Sequence, residues 1–150
     1  MQLSTRGRYA ARAMFELALH HGQEPLRLHQ IARSQGIPGR YLEQMMVMLV
    51  SCGLVRSTRG RRGGFSLAKP PDAIVLSDVV QAVEGSLALV DCVDDGKLCE
   101  RTNLCITHDI WKKVKEAMFQ VLDSITLADM VEMHRTKRTE MGERDGSSNP

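Results

Sequence analysis

Apolar positions between Ala10 and Leu49 recur at helical spacing in blocks that glycine and proline interrupt. Ala10, Ala11, Met14, Leu17 and Ala18 define a first helix, with Ser4 or Thr5 able to cap its start and Gly22 and Pro25 ending it near His21. A second, short helix is predicted around His29 to Ser34, stopped by Gly36. In "GIPGRYLEQMMVMLVSCG", Pro38 suits a first turn, and Leu42, Met45, Met46 and Leu49 form one apolar stripe before Gly53. Two helices joined by a glycine-containing turn fit a bihelical nucleic-acid-reading unit, with the third helix as the reading helix.

The period then shortens. "LVRSTRGRRGGFSL" offers two extended segments, Leu54 to Ser57 and Phe65 to Leu67, around a tip of Arg59, Gly60, Arg61, Arg62, Gly63 and Gly64. A basic hairpin directly after a reading helix is a wing, and three arginines within four residues repel one another unless an anion lies between them. Beyond Pro70 and Pro71 a short helix carries Val79, Val80 and Val83, with Ser77 as its expected cap and Gly85 at its close. A longer helix from about Thr107 to Ser124 bears Trp111, Val114, Met118, Val121, Leu122 and Ile125 on one side. At 1.5 Å per residue it spans about 25 Å, more apolar surface than so small a chain can bury by itself, so pairing in a homodimer is expected. A final helix is predicted from about Leu127 to His134, and 135–150 is expected to be a disordered tail. The expected fold is mainly α with a small β-hairpin. It comprises a winged helix-turn-helix domain over 1–70, a loop with dimerisation helices over 71–134, and the tail.

Composition adds two points. Hydrophobic residues at 43% and charged residues at 25% are globular values, and no apolar run is long enough for a secretory signal or a membrane span, so a cytoplasmic protein without membrane contact is expected. The net charge of +2 conceals a division: up to Pro70 eleven Lys and Arg face three acids, and beyond it nine bases face fifteen acids. A polyanion partner for the N-terminal half follows from that split.

The four cysteines bring in the chemistry. "DCVDDGKLCERTNLCITH" holds Cys92, Cys99, Cys105 and His108, whereas Cys52 stands apart near the end of the third helix as a small, buried apolar residue. In a reducing compartment such a cluster favours a metal or redox centre over a disulfide scaffold. Zinc sites usually gather close pairs, and only Cys105 and His108, with two residues between them, obey that rule. A zinc-stabilised DNA-binding protein therefore stays open as an alternative. A thiol enzyme does not fit, because no Cys-x-x-Cys pair or poised base is present.

Taken together, "LSTRGRYAARAMFELALH", "IARSQGIPGRYLEQMM", "GLVRSTRGRRGGFSLAK", "VVQAVEG", the Cys/His loop and "ITLADMV" resemble the IscR-like members of the Rrf2 family of winged-helix regulators, a family that includes NsrR and RirA. The resemblance runs from Met1 to about Met133. It implies a homodimer on double-stranded operator DNA, crossed long helices, an iron-sulfur cluster near the crossing, and no enzymatic activity. Three thiolates and one imidazole complete a [2Fe-2S] centre with two ligands per iron, and His108 stands where IscR-like proteins have their fourth ligand. Some relatives use an N-terminal acid to complete a [4Fe-4S] cluster instead. Arg8 occupies that region here and cannot coordinate iron, which leaves [4Fe-4S] as the alternative.

On the DNA side Arg40, Tyr41, Glu43 and Gln44 on the third helix, and Arg59, Arg61 and Arg62 in the wing, are the expected contacts. Gln pairs with adenine through two bonds and Glu accepts from cytosine. The resemblance assigns base reading to the positions of Glu43, Gln44 and Arg59, with Arg59 in the minor groove. At position 40 the family pattern has a small hydroxyl residue, so Arg40 reaches further, to a guanine or a phosphate. Tyr41 is open between a core and a phosphate contact.

Overall fold

The computed structural model describes residues 2–146, with side chains through residue 142. Helices α1 (Thr5–Leu19), α2 (Leu28–Gln35) and α3 (Gly39–Ser51) lead into an antiparallel hairpin of β1 (Val55–Thr58) and β2 (Gly64–Leu67). Helix α4 (Leu76–Glu84), a loop of three short 3-10 turns, α5 (Ile106–Asp123) and α6 (Leu127–Gly146) complete the chain. Mainly helical architecture with one small hairpin is what the sequence predicts.

Side chains of α1, α2, α3 and the hairpin close on one another. Met14, Ile31, Leu42, Met45, Met46 and Leu49 are fully buried, each worth roughly 1.5–3 kcal/mol of transfer from water. Ile74, Val79, Val83 and Leu127 join the same cluster, so the core draws on both sides of residue 70. Two polar devices seat α1. The Glu84 carboxylate, reaching across from the end of α4, accepts from the Ser4 hydroxyl and from the Ser4 and Gly7 amides, satisfying donors that a helix N-terminus leaves open. A Cβ on Gly7 would push aside that carboxylate and the Leu3 side chain, so a larger residue there would cost these bonds. Buried Glu16 accepts from Gln35 Nε2 at 2.6 Å, and Arg12 donates to the Gln35 carbonyl, fastening the end of α2.

Three expectations need correction. Ser77 does not cap α4: it lies inside the helix, buried, and its hydroxyl donates to Asp123 of α5. Cys52 is exposed rather than buried, because it falls at the C-cap of α3, where the chain turns away and nothing covers it. The segment expected to be a disordered tail from 135 instead continues α6 to Gly146, while 147–150 lie outside the described residues. Thr126 and Asp129 cap α6 reciprocally at 2.8–3.0 Å, and Lys137 to Met141 contain no glycine or proline to stop a helix already nucleated by packing on α1.

A candidate DNA-reading face and ligand loop

Along α3 the buried residues Leu42, Met45, Met46 and Leu49 occupy one side, and the helical period places Arg40, Glu43, Gln44 and Val47 on the other. Arg40, Glu43 and Gln44 are all exposed. Tyr41 is 54% exposed, which removes it from the core and leaves it on the flank of that face. Val47, 63% exposed, is an apolar residue in the middle of a polar helix face. In the sequence it lies within the unbroken apolar run Met45 to Val50, which hides its place on the polar face. Its spacing of three from Gln44 and seven from Arg40 was the available signal.

The wing is fixed to this unit by backbone. Leu26 and Phe65 exchange both of their N–H···O bonds, at 2.9 and 2.7 Å, so the residue before the α2 turn acts as a third, one-residue strand. Gly64 stands against the Leu26 carbonyl with φ +152°, and a side chain there would strike backbone. The tip is braced as well: the Arg27 guanidinium donates to the Arg61 carbonyl at 2.6 Å, a contact that the sequence did not single out. Arg59, Arg61 and Arg62 are exposed around it. Arg62 stands 3.8 Å from Glu24 with both side chains largely in solvent, an arrangement that contributes little and is easily exchanged for a phosphate.

The second candidate region lies at the other end of the chain. Cys92, half-buried, sits in a 3-10 turn (Asp91–Val93); Cys99, exposed, follows a second turn (Gly96–Leu98); Cys105 is the N-cap residue of α5; and His108 is in the first turn of that helix. The Cys105 thiol is 3.1 Å from Thr107 Oγ1 and is held below its usual pKa, first by that hydroxyl and then by the His108 backbone N–H. Both favour the thiolate, the form that binds metal. The His108 side chain is 13% exposed, with Nε2 3.1 Å from the Cys92 carbonyl and Nδ1 3.3 Å from Asp109 Oδ1.

Three thiols and an imidazole are soft donors suited to iron or zinc. These contacts tie the Cys92 carbonyl and the Cys105 thiol to the first turn of α5, and Cys99 is exposed on the turn that follows Leu98. The donors do not converge: among the described residues no group of three His, Cys, Asp or Glu is disposed to hold a metal ion. Donor chemistry thus fits a metal centre, while closure on one needs the loop to tighten.

Beside the loop, α5 is 18 residues long and buries none of them. Ile106, Ile110 and Val121 are 77%, 47% and 59% exposed, and Ala117 completes their stripe at helical spacing. An apolar groove lined by Leu3, Leu87, Leu89, Val114, Met118 and Val121 runs next to it. Among the described residues no helix is long and apolar enough to cross a membrane.

The family model described as "Iron-dependent Transcriptional regulator", Rrf2, matches residues 3–133. The regulator IscR of Erwinia tasmaniensis is 41% identical over 132 residues, covering 87% of this chain and 79% of its own. The regulator CymR of Bacillus subtilis is 38% identical over 130 residues, covering 87% and 89%. Among solved structures, T. potens IscR superposes with a TM-score of 0.74 at 40% identity, covering 89% of this chain and 88% of its own. These relatives are transcriptional regulators, not enzymes.

Proposed function

The chain belongs to the Rrf2 family of transcriptional regulators, and from that premise we propose that it acts as a homodimer whose grip on operator DNA is set by a [2Fe-2S] cluster on Cys92, Cys99, Cys105 and His108. One observation carries the reading. Two soft donors, Cys105 and His108, open a helix none of whose residues is fully buried, with Cys92 tied to its first turn, and the opposite half presents a cationic winged face.

For DNA, α3 enters the major groove with Gln44 and Glu43 at base edges and Arg40 at a guanine or phosphate. Val47 adds an apolar contact suited to a thymine methyl. The wing sets Arg59 toward the minor groove, while Arg61 and Arg62 neutralise phosphates. Tyr41, exposed at the flank, serves a phosphate. A second copy covers the stripe of Ile106, Ile110, Ala117 and Val121, and two reading units then face successive half-sites.

Bound to the loop, the cluster supplies chemistry sensitive to oxidants and iron supply. Cys105 contributes a thiolate favoured by Thr107 and by its place at the helix N-terminus. His108 is the more readily surrendered ligand, since a neutral imidazole donor is held less tightly by iron than an anionic thiolate. Because His108 belongs to α5, tightening of the loop is transmitted to the helix that joins the two copies.

Anaerobic purification followed by absorption spectroscopy and iron and sulfide analysis tests this. A coloured protein with two irons and two sulfides per chain is expected, and His108→Ala should lose the cluster faster while still binding DNA. Four irons and four sulfides would move the assignment to [4Fe-4S]. A colourless protein with one zinc per chain would replace it with a zinc-stabilised regulator. A second reading, regulation by thiol state without a metal centre, is favoured by the donors that do not converge; purified protein holding no metal at all would establish it.

A further inference from the structure

The ligand loop is attached to the body of the protein unevenly. Its first part, residues 91–95, is tied to α5 at two points. His108 Nε2 meets the Cys92 carbonyl at 3.1 Å, and Lys115 Nζ donates to Asp94 Oδ1 at 2.5 Å. His108 and Lys115 are seven residues apart, two turns, and so lie on one face of α5, about 10 Å apart along it. The strip from Cys92 to Asp94 is thereby laid along that face in a fixed direction.

Residues 96–104 have no such anchor. Lys97 N to Asp95 Oδ1, Leu98 N to the Asp95 carbonyl, Thr102 to the Cys99 carbonyl and Leu104 N to the Arg101 carbonyl all stay within the loop. Among the described residues no hydrogen bond joins this part to a helix, and Leu98 and Leu104 are 65% and 93% exposed.

We infer that the Asp94–Lys115 pair is a positioning pair for the metal centre: it holds Cys92 beside His108 and Cys105 as one fixed side of the site, and the Cys99 arm alone moves to close it. This rests on the cluster reading above. The pair is distinct from any ligand and from the stripe proposed to meet a second copy, since Lys115, nine residues from Ile106, falls on the opposite side of α5. Its side chains are 26% and 33% exposed, so solvent screens the attraction, and an effect of a few-fold is expected rather than a collapse.

Lys115→Met keeps the length and the contact with Phe119 and removes the charge. Hydrogen exchange on the full chain, with cluster removed by chelator, should show the Val93, Asp94 and Asp95 amides exchanging about two- to fivefold faster, with Leu98 and Leu104 unchanged. With the cluster reconstituted, its loss to chelator, followed by visible absorption, should quicken by about the same two- to fivefold factor, while thermal unfolding and apo-protein DNA binding stay as in the wild type. The reversed pair, Asp94→Lys with Lys115→Asp, should restore both readouts. Unchanged exchange at 93–95 in Lys115→Met, or no restoration by the reversed pair, would overturn the inference. If the wild type takes up no cluster but exchange behaves as expected, the positioning contact stands and the cluster reading is what fails.

Discussion

Helices α3 and α5 carry comparable apolar stripes, yet α3 buries four residues and α5 none. The difference lies in their surroundings. Helix α3 is enclosed by α1, α2, α4 and β1, so its apolar side is used up by the fold and its polar side stays free for the proposed DNA contact. Helix α5 touches the body mainly through α4 and the ligand loop, so much of its apolar surface remains in water. One region completes its structure within the chain, and the other leaves an apolar stripe that the proposed second copy would cover. In the dimer proposed above, a loop at the start of that helix is well placed to influence how the two copies are held.

The largest expected effect is in the enclosed region. Leu49→Ala, at a fully buried position, should cost about 2–5 kcal/mol of stability in denaturant unfolding, because the cavity it leaves is walled on all sides. A milder loss would mean that the α3 core collapses more readily than its packing implies. Next comes the unenclosed region. Ile110→Asp with Val121→Asp should weaken self-association by at least about a hundredfold, near 3 kcal/mol, in sedimentation experiments, with far-ultraviolet dichroism unchanged. Sedimentation identical to the wild type would place the dimer contact elsewhere.

Smaller effects sharpen the reading face. Gln44→Ala should relax preference at one base position by about 1–3 kcal/mol in a binding-site selection, leaving other positions alone. A uniform loss over all sequences would return Gln44 to a backbone contact. Arg61→Ala should weaken every sequence alike and reduce the slope of log affinity against log salt by about 1. Least of all, ending the chain after Thr136 should change stability by no more than about 0.5 kcal/mol, since residues 137–142 are exposed and only the helix ladder is shortened.

The legible parts of the sequence were those governed by local rules. Spacing of Met14, Leu17, Leu42, Met45 and Leu49 located the enclosed helices, and glycine and arginine content located the wing. The nearby cysteines marked a candidate site with no structure needed. Less legible were contacts between distant segments. Nothing local joins Glu84 to Gly7, Arg27 to Arg61, or Asp94 to Lys115, which are 77, 34 and 21 residues apart. Cys52 and Ser77 were misplaced for the same reason: burial depends on which neighbour arrives, not on residue type. Helix α6 ran on past His134 because a packed first turn supplies the nucleus that a polar segment lacks by itself.

By itself, then, the sequence determined the family, the order of helices and hairpin, the cationic first half and the set of soft donors, because periodicity, turn chemistry and ligand type are short-range properties. Tertiary structure alone decided that Val47 faces outward, that the wing is braced by Leu26 and Arg27, that Cys99 is exposed while Cys92 and Cys105 are half-buried, and that α5 keeps its apolar stripe in water. Each of these depends on which surfaces meet, and a surface is assembled from residues that the chain order keeps apart.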